Sequence, residues 1–174
     1  ALARWNRPGV GYVSPEVFIA AAETSGLIDA LGLQILRRAC LQARAWPNLH
    51  LSVNVSPGQF RNPAFPTSVA KLLDEVGIDA RRVTMEVTEG YLIRHANRAI
   101  FTIKKLRALG LIIALDDFGS GFASIGYLKQ FDFDRVKIDR SLVSELGHSA
   151  NAMEILQATM SFARALGLPV TAEG

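Results

Sequence analysis

Asp116 and Asp117 stand side by side at the end of an apolar run, Leu111-Ile112-Ile113-Ala114-Leu115, and a turn bearing Gly119 and Gly121 follows at once. Two neighbouring carboxylates repel when both are ionised, so a metal ion, another cation or a shared proton is expected beside them. Aspartate ahead of glycine is also common turn chemistry, and one of the pair can cap a following helix. On this stretch alone both readings stand. Recurrence separates them: Asn54, Glu86, Asp116, Lys137 and Glu173 each fall at or near the C-terminal end of a successive strand-like run, at intervals of 32, 30, 21 and 36 residues. One βα unit of an eight-fold barrel occupies about 31 residues, and such barrels do their chemistry on the rim made by the strand C-termini. Singly, each residue has an ordinary reading: Asn54 as turn chemistry, Glu86 as a solvent-facing strand residue, Lys137 in a salt bridge to Asp134 or Asp139, Glu173 as a cap. Jointly they form a constellation.

Asn54, Glu86, Asp116 and Asp117 offer only oxygen donors, with no Cys or His at matching positions, which suits Mg2+, Mn2+ or Ca2+ better than zinc. A carboxylate shared between ions permits a two-metal centre with ions ~3.5–4 Å apart, an arrangement used for in-line displacement at phosphorus. Lys137 is then placed to orient a water or neutralise a non-bridging oxygen, and Glu173 to accept a proton from the attacking water. His50, His95 and His148 lie in turn or helix-edge contexts outside this set and receive no role.

Strand and helix signals alternate along the chain, the pattern of a parallel α/β sheet. Ala1–Trp5 begins without a cap or turn residue and reads as the middle of a strand. Asn6-Arg7-Pro8-Gly9 is a turn, and Ser14-Pro15-Glu16 opens a helix to about Thr24 with Val17, Phe18, Ala21 and Ala22 as its apolar face. A second helix, 27–46, carries Leu31, Ile35, Leu36, Ala39, Cys40 and Ala43 at helical spacing. Residues 49–55 alternate as a strand before a Pro57-Gly58 turn. A helix over 66–76 ends at Gly77. Strand 83–88, helix 95–109, the 111–119 strand, a short helix near 125–129, strand 135–138, helix 151–166 and strand 168–172 complete the series.

The 174 residues are 49% hydrophobic and 20% charged, with no low-complexity tract, which predicts one globular domain over 1–174. No apolar stretch approaches the ~20 residues that span a bilayer, and no signal-peptide layout is present. A cytoplasmic domain is expected, or the cytoplasmic part of a larger membrane-anchored protein. Cys40 is the sole cysteine, so neither a disulfide framework nor a thiolate cluster is in prospect. The net charge of +3 is dispersed, with no aromatic-interleaved basic patch, which argues against DNA but leaves room for a small phosphate ligand.

The motifs in order resemble those of the EAL-domain family, bacterial cyclic di-GMP phosphodiesterases. Ala1-Leu2-Ala3-Arg4-Trp5 is similar to the signature E-A-L-L-R-W without its first glutamate, and Ser14-Pro15 with Phe18-Ile19 and Ala22-Glu23 matches the next segment. Val53-Asn54-Val55-Ser56 with Gln59-Phe60, Glu86-Val87-Thr88-Glu89, Asp116-Asp117-Phe118-Gly119-Ser120-Gly121-Phe122, Lys137-Ile138-Asp139-Arg140-Ser141 and Ala172-Glu173-Gly174 match the rest. The resemblance implies a modified TIM (β/α)8 barrel with one antiparallel strand, present here as an incomplete segment truncated at both ends. It also implies hydrolysis of cyclic di-GMP to linear pGpG with Mg2+ or Mn2+, and calcium, larger and more loosely coordinated, is expected to inhibit.

Carried over by match, Asn54, Glu86 and Asp116 are expected metal ligands and Asp117 the holder of a second ion. Lys137 positions the water, and Glu173 is the candidate base. Arg4 meets a substrate phosphate through its guanidinium fork, with Ala3, Gln59 and Asp139 as further substrate contacts. Glu89 holds the loop carrying Gly119 and Gly121, and that loop couples the site to a homodimer interface. Fusion to other signalling domains is part of the same expectation. The signature glutamate is expected before residue 1 and the last motifs after residue 174. Ala3 replaces the usual second leucine, and Ser120-Gly121-Phe122-Ala123 stands for Thr-Gly-Tyr-Ser. The alternative function is a catalytically inactive cyclic di-GMP receptor or protein-interaction module.

Overall fold

The computed structural model describes residues 1–90, 96–119, 129–148 and 151–172. A hairpin of β1 (Trp5–Arg7) and β2 (Gly11–Val13) leads into α1 (Pro15–Thr24) and α2 (Ile28–Ala43). Then follow β3 (Leu51–Asn54), α3 (Pro57–Arg61), α4 (Phe65–Val76), a 3-10 turn (Ala80–Arg82) and β4 (Val83–Thr88). The remainder is α5 (Ala96–Ala108), β5 (Ile112–Phe118), β6 (Arg135–Ile138), α6 (Arg140–Ser144), α7 (Ala152–Ala165) and β7 (Val170–Ala172). Among the described residues β3 to β7 form one parallel sheet in sequence order, each strand beside the next. Parallel strands need long crossovers, and the intervening helices supply them. The antiparallel pairing among these residues is confined to the β1–β2 hairpin.

Register divides the sheet into two chemically different faces. Val53 pairs with Met85 and Met85 with Ile113, while Leu115 pairs with Val136. All five are buried and belong to the cluster that also holds Leu36, Cys40, Val69, Leu72, Ile103 and Leu106 from the helices. Each such side chain contributes about 1.5–3 kcal/mol on burial. The opposite face carries Ser52 and Asn54, Thr84 and Glu86, Ala114 and Asp116, and Lys137, by the same pairings and the strict alternation of strand side chains. The sheet is apolar toward its helices and polar on the other side. Arg82 ties the loop before β3 into place: its Nη2 donates to the carbonyls of Ala43, Trp46 and Leu49 at 2.9, 2.7 and 3.1 Å.

Several expectations change. Residues 1–4 are not in a strand, although the backbone nitrogen of Ala1 donates to the Ser52 carbonyl and so lies along the edge of β3. Val17 and Ala21 face outward, because α1 buries only Phe18 and Ala22. The Pro57-Gly58 turn is the first turn of α3: proline at N1 starts a helix as readily as it makes a turn. The short α6 after β6 was not anticipated; Asp139 is its N-cap. The 111–119 strand forms over Ile112–Phe118, with Asp116 and Asp117 near its C-terminal end. The helix near 125–129 lies almost wholly outside the described residues.

Cys40 is fully buried in the helix–sheet core, and burial pushes its thiol up to about 11. A buried thiol with so little thiolate at pH 8 is a poor nucleophile. Ellman's reagent at pH 8 is therefore expected to leave the native protein unlabelled over a time in which denatured protein reacts completely.

Candidate functional site

Four strands bring their C-terminal ends together on the polar face. Asn54, the last residue of β3, is the register partner of Glu86 on β4, and Asp116 on β5 is the partner of Thr88, two residues further along β4 on the same face. Lys137, from the next strand, completes the group: its Nζ lies 3.0 Å from Glu86 Oε1 and 3.0 Å from Asp116 Oδ1. The two carboxylate side chains are 8% and 9% exposed and the lysine 13%, so these three charges are largely out of water. Buried charge on this scale persists only when it is neutralised locally. Lys137 therefore pairs with Glu86 and Asp116 rather than with Asp134, which instead binds Arg107 at 2.8 Å and the Ile113 amide at 2.8 Å.

Adjacent residues in a regular strand point to opposite faces, so Asp117 needs a separate device. Between Leu115 and Phe118 the β5–β6 register slips: three steps along β5 match two along β6, from Leu115↔Val136 to Phe118↔Ile138. This is a β-bulge, which re-aims the side chains it carries. At the bulge Asp117 has φ 55, the only positive φ of a non-glycine residue among the described ones. Aspartate tolerates that left-handed conformation better than most residues, and conformations of this kind cluster at functional sites. The turned Asp117 side chain interacts with that of Asp139.

Asp139 also accepts from the Ser141 amide at 2.8 Å and from the Ser141 hydroxyl. Those Ser141 bonds, and to a lesser extent the interaction with Asp117, hold its carboxyl below the usual range. Gly119, at φ 94, closes the bulge against α6: a Cβ there would lie 2.5 Å from Leu142 Cδ1. Phe118 stacks on Phe162 of α7 with ring centroids 5.7 Å apart.

The rim therefore presents two acidic pairs. Glu86 and Asp116 converge on one positive charge, and Asp117 and Asp139 face each other alongside. Among the described residues no three His, Cys, Asp or Glu side chains meet at one point. All donors are oxygens, and the lysine already occupies the place of a cation between two buried carboxylates. That chemistry fits a hard divalent ion.

The other expected site residues are distributed as follows. Glu89 is buried just past β4. Gln59 is also buried, and its Oε1 accepts from the Ser56 amide at 3.1 Å. Arg4 is exposed and its Nη1 donates to the Ala3 carbonyl at 3.2 Å. Ala3 and Arg4 line an apolar groove of about 600 Å³ with Trp5, Phe18, Leu31 and Arg38, and none of the rim carboxylates borders it. Glu173, Gly121 and His95 lie outside the described residues. Sequence reasoning missed the part played by Ser56, Glu23 and Gly32 around Gln59; the S-x-x-Q spacing of a capping box was the available signal.

Compared with known proteins, the chain matches the EAL domain over residues 1–174. It is 36% identical, over its whole length, to the cyclic di-GMP phosphodiesterase NbdA of Pseudomonas aeruginosa, covering 23% of that protein. The PaMucR phosphodiesterase of Pseudomonas aeruginosa, solved as a cyclic di-GMP complex, superposes with a TM-score of 0.92 at 34% identity, covering 98% of this chain and 71% of that one. Klebsiella pneumoniae BlrP1, solved as a calcium and cyclic di-GMP complex, gives 0.82 at 27% identity over 92% of this chain and 41% of that one. The chain spans between 21% and 29% of the length of the curated relatives it matches. Among the described residues no helix is long and apolar enough to cross a membrane.

Proposed function

The chain belongs to the EAL-domain family, and on that premise we propose that it is a metal-dependent phosphodiesterase that hydrolyses cyclic di-GMP to linear pGpG. The observation that carries this reading is the buried Glu86–Lys137–Asp116 group on the C-terminal rim of a parallel sheet, with Asn54 beside it. Glu86, Asp116 and Asn54 would hold one Mg2+ or Mn2+, and Asp117 with Asp139 a second. Such ions supply Lewis acidity, neutralising charge on the phosphoryl oxygens and acidifying the attacking water.

The chain's own groups do the rest. With its carboxylate partners engaged elsewhere, Lys137 is released to donate to a non-bridging phosphate oxygen and to orient the water on its line of attack. Glu173 accepts the water's proton as the oxygen bonds to phosphorus and the bond to the ribose 3′ oxygen breaks, and that oxygen leaves as a hydroxyl by taking a proton from solvent. Arg4 receives a phosphate of the dinucleotide through its guanidinium fork. The domain acts as a homodimer beside other signalling domains, on the cytoplasmic side.

Turnover tests this reading. Full-length protein with Mg2+ or Mn2+ is expected to convert cyclic di-GMP to pGpG, followed by chromatography, and EDTA to stop it. Tight binding of cyclic di-GMP with no turnover under any of these ions would make the chain a receptor instead. Calcium added to the Mg2+ reaction is expected to lower the rate several-fold, since Ca2+ takes 6–8 oxygen ligands in looser geometry than Mg2+.

A further inference from the structure

The segment that follows Asn54 is held by a small polar lock that the reaction above does not use. Both peptide N–H groups after Asn54 are committed: Val55 donates to the Glu86 carbonyl at 2.9 Å, and Ser56 donates to Gln59 Oε1 at 3.1 Å. The Ser56 hydroxyl accepts from the Gly58 amide at 3.0 Å and donates to Glu23 of α1, so Ser56 and Gln59 close a capping box at the start of α3. Gln59 is only 4% exposed, and α2 gives way to admit it. A Cβ on Gly32 would lie 2.2 Å from Gln59 Nε2 and 2.7 Å from Oε1. Glycine inside a helix is less favourable than alanine. The close approach of Gln59 explains why α2 carries one there. Phe60, fully buried next in sequence, anchors α3 independently of Gln59.

We propose that Gln59, seated against Gly32, is a positioning residue that fixes the backbone after Asn54 and so aims Asn54 at the rim. The inference rests on the reading of the rim as a cation site. Removing Gln59 frees the Ser56 amide and lets the end of β3 move, while Phe60 keeps α3 in the core. Loss of groups that orient metal ligands typically costs 10–100-fold in metal affinity.

The test is Mn2+ titration of the full-length protein without substrate, by calorimetry, together with melting in EDTA. Gln59→Met is expected to raise the Mn2+ Kd about tenfold with a melting temperature in EDTA within a few degrees of wild type. Gln59→Glu keeps the oxygen acceptor that a capping box requires and is expected to bind within about twofold of wild type. Gly32→Ala is expected to weaken binding as Gln59→Met does. The double variant Gly32→Ala/Gln59→Ala, which makes room for the new Cβ but lacks the acceptor, is expected to stay weak. Wild-type affinity in Gln59→Met, recovery in the double variant, or loss of affinity only in step with loss of fold in EDTA would overturn the proposal. A wild-type protein that takes up no Mn2+ overturns the cation-site reading itself, and this inference with it.

Discussion

Replacing Asp116 by asparagine is expected to lower kcat for cyclic di-GMP by roughly 10²–10³-fold, the scale on which a single preorganised electrostatic contact acts in a catalytic site. The substitution keeps side-chain volume and removes one negative charge from a group that is 9% exposed. Lys137 retains Glu86 at 3.0 Å, so the sheet has no uncompensated ammonium to expel and the melting temperature should move little. Mn2+ affinity, measured alongside, should fall with the rate. A variant that turns over near the wild-type rate would remove Asp116 from the ligand set.

Lys137→Met has the opposite signature, because it removes the positive charge and leaves two buried carboxylates facing each other. Breaking a buried pair by deleting one partner costs about 3–5 kcal/mol, and the lysine's slight solvent exposure puts the effect near the lower end. For a domain of this size about 3 kcal/mol corresponds to a drop of roughly 6–12 °C in Tm. The loss should appear in EDTA and shrink when Mn2+ is added, since a ligand bound only by the folded state stabilises it by mass action. Scanning calorimetry of wild type and variant, each with EDTA and with Mn2+, measures this directly. Turnover should remain low in both conditions, because the group that orients the water is absent. A variant whose deficit is unchanged by Mn2+ would show that the carboxylate pair does not take up the ion.

The βα period was legible because it rests on long-range repetition: Asn54, Glu86 and Asp116 recur at about unit length, Lys137 follows on the next strand, and the strands bring them onto one face. The helices were legible for a similar reason, their apolar stripes repeating over several turns. What escaped depended on single residues whose local signals point two ways. Proline and glycine at 57 and 58 suit a turn and a helix start equally, and only the Ser56–Gln59 box decides for α3. The bulge at Asp116-Asp117 has no periodic signal, because it is created by a mismatch between two strands that are distant in sequence. The same applies to the Asp117–Asp139 contact and to Lys137's choice of Glu86 and Asp116 over its nearer neighbour Asp139. Val17 and Ala21 fit the helical period yet face outward, since amphipathic spacing does not say how wide a face the neighbours cover.

The most direct measurement is anomalous diffraction from crystals of the full-length protein grown with Mn2+ and cyclic di-GMP. Two manganese peaks about 3.5–4 Å apart are expected, one against Asn54, Glu86 and Asp116 and the other beside Asp117 and Asp139, with Lys137 Nζ turned to the phosphate. Bound cyclic di-GMP with Lys137 Nζ still seated between Glu86 and Asp116, and no manganese on the rim, would contradict it.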